Sequence, residues 1–506
     1  MRGSKGVRQA CLCLALLLLC CFAPGARGEE ETGEAKDLSP SCVYTYSGST
    51  NFPGYMMFDG RSRSAYTVKA GEQLLIRCPE EAGTLVLRLS QLHSLFTLWQ
   101  RGERGLPLKV KVVDTAALVL TIPLEPGCRT VCLLPFEEDV RLCEARIYGP
   151  GTLPESVPQL QDQLEKTDFL LVATHPDDEW VFLGAVYPLY GHEQGYTGTV
   201  VYMTLPNFER AHECVNSLWV GGFLNHPYFL GFPDIPQNSP RSEKNKCKQE
   251  DVTLSLVRLY RRIRPLVVVT QDPKNGEYGH WQHKMSANAA FDAVSLAADP
   301  DFDPESAAAY GVWTVQKVYQ HFAQGISTID LPIHQSLGSY GGRSALEVAR
   351  KAFQEHKTQL KTPFRPGASR AVRGDIRQFG LTWSTLGPDT QNDMFEHIDP
   401  KDLVSALTAP APEPEPSLEP SPEATPTPNS TPAPTATPEP TPGPTQSPAP
   451  DPDPTFSPKP NLWDKAAVAT AWAADRAALL AGAVVALLAV SILLRQLRRA
   501  RRRHRQ

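Results

Sequence analysis

Residues 170–180, LLVATHPDDEW, run from aliphatic side chains straight into one histidine and three carboxylates. The apolar half reads as a buried strand, so His175, Asp177, Asp178 and Glu179 stand where that strand ends. Carboxylates repel one another and resist desolvation, so such a cluster needs a cation, a proton or open solvent beside it. Working outward, DFLLVAT (168–174), TGTVVYMTL (197–205) and RPLVVVTQD (264–272) are all strand-like. They alternate with amphipathic, helix-length stretches at 180–190, 208–223, 251–262 and 281–298. Continuous Val/Ile/Leu runs alternating with helices predict an α/β domain with a Rossmann-like, mostly parallel sheet covered on both faces. Ligands of such sheets bind beyond the carboxyl ends of the strands. HPDDE falls there, and so does QDPKNGEYGH (271–280).

The spacing of His175 and Asp178 lets an imidazole and a carboxylate point at one atom, and His283, at the start of a later helix, offers a third ligand. Two histidines and one carboxylate leave an open position, as a catalytic zinc site requires. Asp177 is then the spare carboxylate, placed to take a proton from water activated by the metal. The plainer alternative is a helix cap, with Asp177 or Asp178 at the N-cap and Glu179 in the first turn. A second histidine pair, His280 and His283, behind another strand of the same half weighs against that alternative.

ATHPDDE followed by EYGHWQH resembles the LmbE/PIG-L family of zinc-dependent de-N-acetylases. NFERAHECVNSLWVGGF (207–223) is similar to that family's Arg-x-x-Glu helix, through Arg210 and Glu213. The resemblance covers residues 168–300 well and continues more loosely to about 397. It implies that His175, Asp178 and His283 bind Zn2+ and that Asp177 is the general base. It also implies that His280 supports the oxyanion or protonates the leaving amine, and that Tyr278 hydrogen-bonds the oxyanion. Gln282 departs from the family's pattern, where an acidic residue often separates the histidines, and the expected consequence is altered tuning of His283. Asp272 and Glu277 are expected to shape the loop or support ligands, and Arg210 and Glu213 to form an ion pair or touch substrate. His192, His212 and His226 read as ordinary surface or packing residues. Trp180, Trp219 and Trp281 read equally as sugar platforms or as core or rim packing.

The deacetylase-like domain is expected over 165–400. Before it, residues 42–150 carry short strand runs separated by Gly and Pro, which predicts an antiparallel β-sandwich. MFDGRSRSAYTVKAGEQLLIRC (57–78) and CEARIYGPG (143–151) resemble discoidin-type domains, which implies glycan or surface binding; a module that only positions the enzyme is the alternative. Residues 1–28 read as a secretory signal peptide, 409–460 as a Pro/Thr-rich stalk, 477–494 as a transmembrane helix and 495–506 as a basic cytoplasmic tail. That order predicts a single-pass cell-membrane protein with its catalytic domain outside. The net charge of -5 with basic residues clustered only at the C-terminus argues against nucleic acid as a partner. Of eleven cysteines, seven follow the signal segment, so some are expected to pair, chiefly in the first domain. The expected function is zinc-dependent removal of N-acetyl groups from a GlcNAc-type glycan or glycoconjugate. The alternatives are an inactive glycan-binding adhesin, or an amidase cleaving a larger acyl group from an amino sugar conjugate.

Overall fold

The computed structural model describes residues 33–404 apart from residue 206 and residues 370–373. The expected signal peptide, stalk, transmembrane helix and basic tail lie outside the described residues. Among the described residues no helix is long and apolar enough to cross a membrane.

Nine strands come first: β1 Val43–Tyr46, β2 Tyr66–Val68, β3 Leu74–Arg77, β4 Thr84–Leu89, β5 Ser94–Arg101, β6 Pro107–Thr115, β7 Val119–Pro123, β8 Thr130–Pro135 and β9 Val140–Tyr148. They form two antiparallel sheets, ordered β1-β3-β8-β5-β6 and β2-β9-β4-β7. Alternation drives the pairing: in β5 Ser94, Phe96, Leu98 and Gln100 are buried while the residues between them are half-exposed. Phe96 and Leu98 meet Leu85, Leu87, Leu142 and Ile147 of the other sheet in one shared core.

The second set builds the site. β10 Phe169–Ala173, β11 Gly198–Thr204, β12 Tyr228–Phe232, β13 Val267–Thr270, β14 Lys317–His321, β15 Ser327–Asp330 and β16 Gln378–Ser384 form one sheet, ordered β12-β11-β10-β13-β14-β16-β15. The first five pair in parallel, and β16 runs antiparallel between β14 and β15. Every residue of β10, β11, β13 and β14 is buried, the signature of a sheet covered on both faces. From β10 the chain moves outward through β11 and β12, then returns to the other side of β10 as β13. The crevice at this reversal lies beyond the carboxyl ends of β10 and β13, where HPDDE and EYGHWQH emerge.

The stretch 180–190 is not one helix. A short helix, Asp178–Val181, is followed by a π-helical turn, Tyr187–Glu193. Pro188 cannot donate a backbone hydrogen bond. Gly184 lies so close that an added Cβ would stand 2.3 Å from Trp180 O and 2.9 Å from Ala349 Cβ. The chain there is shaped by its approach to the helix Ala345–Phe353.

The two domains share the helix Phe208–Val220. Its Ala211 and Val215 pack with Val86, Val119, Tyr148 and Leu160, so the sandwich seals one side of it. His212 Nε2 lies 3.4 Å from Cys143 Sγ of β9, and Val119 N donates to His226 Nε2 at 3.4 Å. Both imidazoles are buried packing groups, as the sequence suggests.

Candidate active site and metal centre

His175 follows β10 directly, and its backbone N–H donates to Asp178 Oδ2 at 2.7 Å, closing the turn that brings the two side chains together. His283 arrives on the first turn of the helix Trp281–Ala298. His175 Nδ1 lies 3.1 Å from His283 Nε2 and 3.3 Å from Asp178 Oδ2, and His283 Nε2 lies 3.4 Å from that oxygen. A tetrahedral zinc with bonds of about 2.0–2.1 Å spaces its ligand atoms about 3.3–3.4 Å apart. The residues therefore fit a divalent cation with one vertex left open. His280 also has a ring nitrogen within 4.8 Å of those of the other two histidines. However, its Nδ1 accepts the Gln282 backbone N–H as the cap of the same helix, which keeps its proton on Nε2. It thus turns an N–H toward the cleft.

Asp177 adopts φ 130°, a backbone conformation that costs a non-glycine residue about 1–3 kcal/mol. Its N–H donates to Glu179 Oε2 at 2.7 Å, and Arg210 Nη2 donates both to its Oδ1 at 3.0 Å and to Pro176 O at 2.7 Å. Burial raises the Asp177 carboxyl to about 6, and Arg210 limits the rise. Burial disfavours charge on His175, but the carboxylates of Asp234 and Asp178 outweigh it and raise the ring to about 10. His280 goes the other way, down to about 3, through burial and the nearby His175 and His283. Burial pushes the Tyr278 hydroxyl well above the usual phenol range, which keeps it protonated. These groups line an open cleft of about 150 Å³ with Phe182, Asp234, Gln359, Thr362 and Phe364.

The structure thus brings together His175, Asp177, Asp178, Tyr278, His280 and His283, and adds Arg210. Glu213, on the same helix, is not in the cleft; it accepts from the backbone N–H and the hydroxyl of Thr358 at 2.9 and 2.6 Å. Glu179 is fully buried rather than a simple helix cap, bridging Asp177, Ser217 and His356. Gln282 does not touch His283. It accepts from Ile235 N at 3.0 Å and donates to Pro233 O at 2.9 Å, clamping the segment that carries Asp234. The carboxylate on His283 comes instead from Glu277, whose Oε2 is 3.0 Å from Nδ1 of that ring and whose Oε1 is 3.0 Å from His321 Nδ1. Asp272 shapes the loop by accepting from Lys274 N and Asn275 N. Trp180 is core, Trp219 Nε1 donates to Glu155 O at 2.8 Å, and Trp281 lies under Lys244; none lines the cleft.

Asp234, His321 and His356 escape the sequence reading. Asp234 Oδ1 stands 3.4 Å from His175 Nε2 and its Oδ2 3.3 Å from Arg210 Nη1. It follows β12, whose YFLGF run is half-exposed and broken by Gly231, a weak strand signal. His321 ends β14, another parallel strand, and the carboxyl-end rule could have flagged it. His356 sits in a loop after a later helix, where no spacing rule applies.

Residues 170–294 match the family described as PIG-L: GlcNAc-PI de-N-acetylase. Over 279 residues, 46% of this chain and 100% of the relative, the chain is 32% identical to 1D-myo-inositol 2-acetamido-2-deoxy-alpha-D-glucopyranoside deacetylase 2 of Saccharopolyspora erythraea. The corresponding deacetylase 1 of Catenulispora acidiphila is 30% identical over 197 residues, 33% of this chain. The chain spans 58% of the length of that relative. A solved N,N'-diacetylchitobiose deacetylase from Pyrococcus horikoshii aligns with 39% of this chain and 72% of its own at 19% identity, with a TM-score of 0.29, too low to carry an argument. The chain belongs to the PIG-L family.

Proposed function

We propose that the protein is a zinc-dependent N-deacetylase acting on an N-acetylated amino sugar of the GlcNAc type, borne by a glycan or glycoconjugate. The observation that carries the reading is the spacing of His175 Nδ1, Asp178 Oδ2 and His283 Nε2, with Asp177 unligated beside them. The relatives' names, deacetylases of an acetamido-glucopyranoside, support the substrate class.

His175, Asp178 and His283 would hold Zn2+, which when bound polarises the amide carbonyl and acidifies a water. Asp177 takes the proton from the attacking water, a task suited to a carboxyl raised to about 6. Arg210 fixes the carboxylate's direction, and Glu179 holds the strained backbone behind it by accepting from the Asp177 N–H. Tyr278, protonated and at the cleft, donates to the oxygen that gains negative charge. His280, with its proton on Nε2, also donates to that oxygen, and the proton that Asp177 took from water passes to the departing amine. Acetate and the free amino sugar leave. We further propose, from the sequence, that the catalytic domain faces outward at the cell membrane, and that the discoidin-like module holds the enzyme near its glycan.

Residues 29–404 should bind one zinc per chain and release acetate from N-acetylated glucosamine derivatives. Asp177→Asn should keep the metal and lose at least about 100-fold in kcat. Equal turnover by Asp177→Asn and the unaltered protein would falsify the proposed role of Asp177.

A further inference from the structure

The cleft has two chemically different walls. Asp177, Arg210 and Asp234 make one part of its lining ionic, whereas Gln359, Thr362 and Phe364, all uncharged, make another. These three follow the helix Ala345–Phe353 and lie outside residues 170–294, the family's matched region. Their segment is tied to the catalytic motifs by buried polar contacts: His356 Nε2 is 2.7 Å from Glu179 Oε1, and Glu213 accepts twice from Thr358. Thr362 Oγ1 and N both bond back to Gln359 O, and the Arg365 guanidinium packs over Phe353 at 5.2 Å. Phe364 ends an aromatic series leading away from the metal centre. Tyr278 lies 5.3 Å from His283, and Phe364 lies 4.4 Å from Tyr278 and 6.3 Å from Phe182.

On the deacetylase reading, we propose that Gln359, Thr362 and Phe364 are the specificity wall for the sugar ring that carries the acetamide. A pyranose presents apolar C–H faces and a rim of neutral hydroxyls. An aromatic face packs against the first; the Gln359 amide can donate to and accept from the second, and the Thr362 hydroxyl, its proton held by Gln359 O, can accept from it. The ionic wall handles the amide, and the neutral wall selects an uncharged sugar. Glu179 and Glu213 are positioning residues that hold this wall in register with Asp177 and Arg210.

Calorimetric titration of the Asp177→Asn protein, loaded with zinc, with N-acetylglucosamine oligomers of graded length tests this directly. Adding Phe364→Ala should weaken binding about tenfold, and Phe364→Tyr should restore it. In the otherwise unaltered enzyme, Phe364→Ala should raise KM by a similar factor and leave kcat nearly unchanged. Affinity indifferent to Phe364→Ala and Gln359→Ala, or no binding of any oligomer, overturns the proposal. Phe364-dependent binding without acetate release from the unaltered enzyme would sink the deacetylase reading and leave the wall standing.

A second inference rests on strand register alone. β1 and β3 pair with Val43 opposite Arg77, which puts Cys42 opposite Cys78 one step further out. Cys78 N–H donates to Arg129 O at 2.9 Å, toward β8, so the cysteines form a non-hydrogen-bonded pair. Such pairs approach to about 4.5 Å between Cα atoms, inside the disulfide range of about 4.4–6.8 Å. The described cysteines are all free thiols here, and no other two face each other in register. We infer that Cys42 and Cys78 form a disulfide in an oxidising compartment. One Sγ–Sγ bond forms, and two protons and two electrons pass to a small-molecule disulfide such as oxidised glutathione, which is cleaved to two thiols. After exposure to that oxidant, alkylation under denaturing conditions and peptide mapping should yield one cross-linked peptide joining Cys42 to Cys78. Alkylation of both, or a link through another cysteine, overturns the inference.

Discussion

Replacing Glu277 by glutamine changes one buried charge and almost no volume, yet it should move a proton on a ring the substitution never removes. Glu277 Oε1 accepts from Asp272 N at 2.9 Å and faces His321 Nδ1 at 3.0 Å, while Oε2 faces His283 Nδ1 at 3.0 Å. In glutamine only one end accepts. The Asp272 backbone N–H can only donate, so it claims the amide oxygen and the NH2 group turns toward His283. The Gln271 amide nitrogen already stands 3.0 Å from Nδ1, so in the variant two donors and no acceptor face it, favouring the tautomer with its proton on Nε2, the atom 3.1 Å from His175 Nδ1 that the ligand set requires. Loss of such an outer partner costs metal affinity about 10–100-fold, or about 1.4–2.7 kcal/mol. Competition against a chromophoric chelator measures this directly. Thermal melting in excess chelator should show the metal-free variant folding much like the unaltered chain. Unchanged zinc affinity in a folded Glu277→Gln protein would refute the tautomer argument and with it the assignment of His283 Nε2 as a ligand atom.

His212 sets an acid limit on folding. Burial first, and Arg88 second, lower it from an ordinary 6.5 to about 3, so the unfolded chain binds a proton that the folded chain refuses. Stability is therefore intact above pH 6.5 and falls as the pH drops toward 3, by up to roughly 4–5 kcal/mol. Urea titrations from pH 7 to 4 should show this slope, shallower in His212→Gln; parallel slopes would remove His212 as its cause. Gln282→Leu should free the segment Pro233–Ile235, costing about 1–3 kcal/mol for the buried Ile235 N–H left unpaired, and should raise KM through misplaced Asp234. An unchanged KM would show that Gln282 only packs.

The central strands and the meeting of the two histidine motifs were legible because their signals are local. β10, β11 and β13 are unbroken apolar runs, and each of the two histidine motifs is held within one strand-to-helix turn. What escaped depends on contacts between distant segments. β12 exposes part of every residue but one and so hides Asp234 behind it. The partners of Glu179 and Glu213 are His356 and Thr358, 177 and 145 residues away, and no periodicity encodes such a meeting. Gln282 looked like a defect in the pattern because its neighbour in sequence is His283. Its neighbour in space is the Asp234 segment, while Glu277, six residues before His283, supplies the carboxylate.

That exchange of roles fits how the helix Phe208–Val220 is used. One side, with Ala211 and Val215, is sealed by the sandwich; the other sends Arg210 to Asp177 and Glu213 to Thr358. A helix fixed on both sides cannot rotate without losing either apolar burial or buried charge pairing, and both are costly. The strained Asp177 backbone depends on that fixity, since Arg210 holds its carboxylate and Pro176 O together. The N-terminal domain therefore contributes to the catalytic geometry whether or not it also binds a glycan.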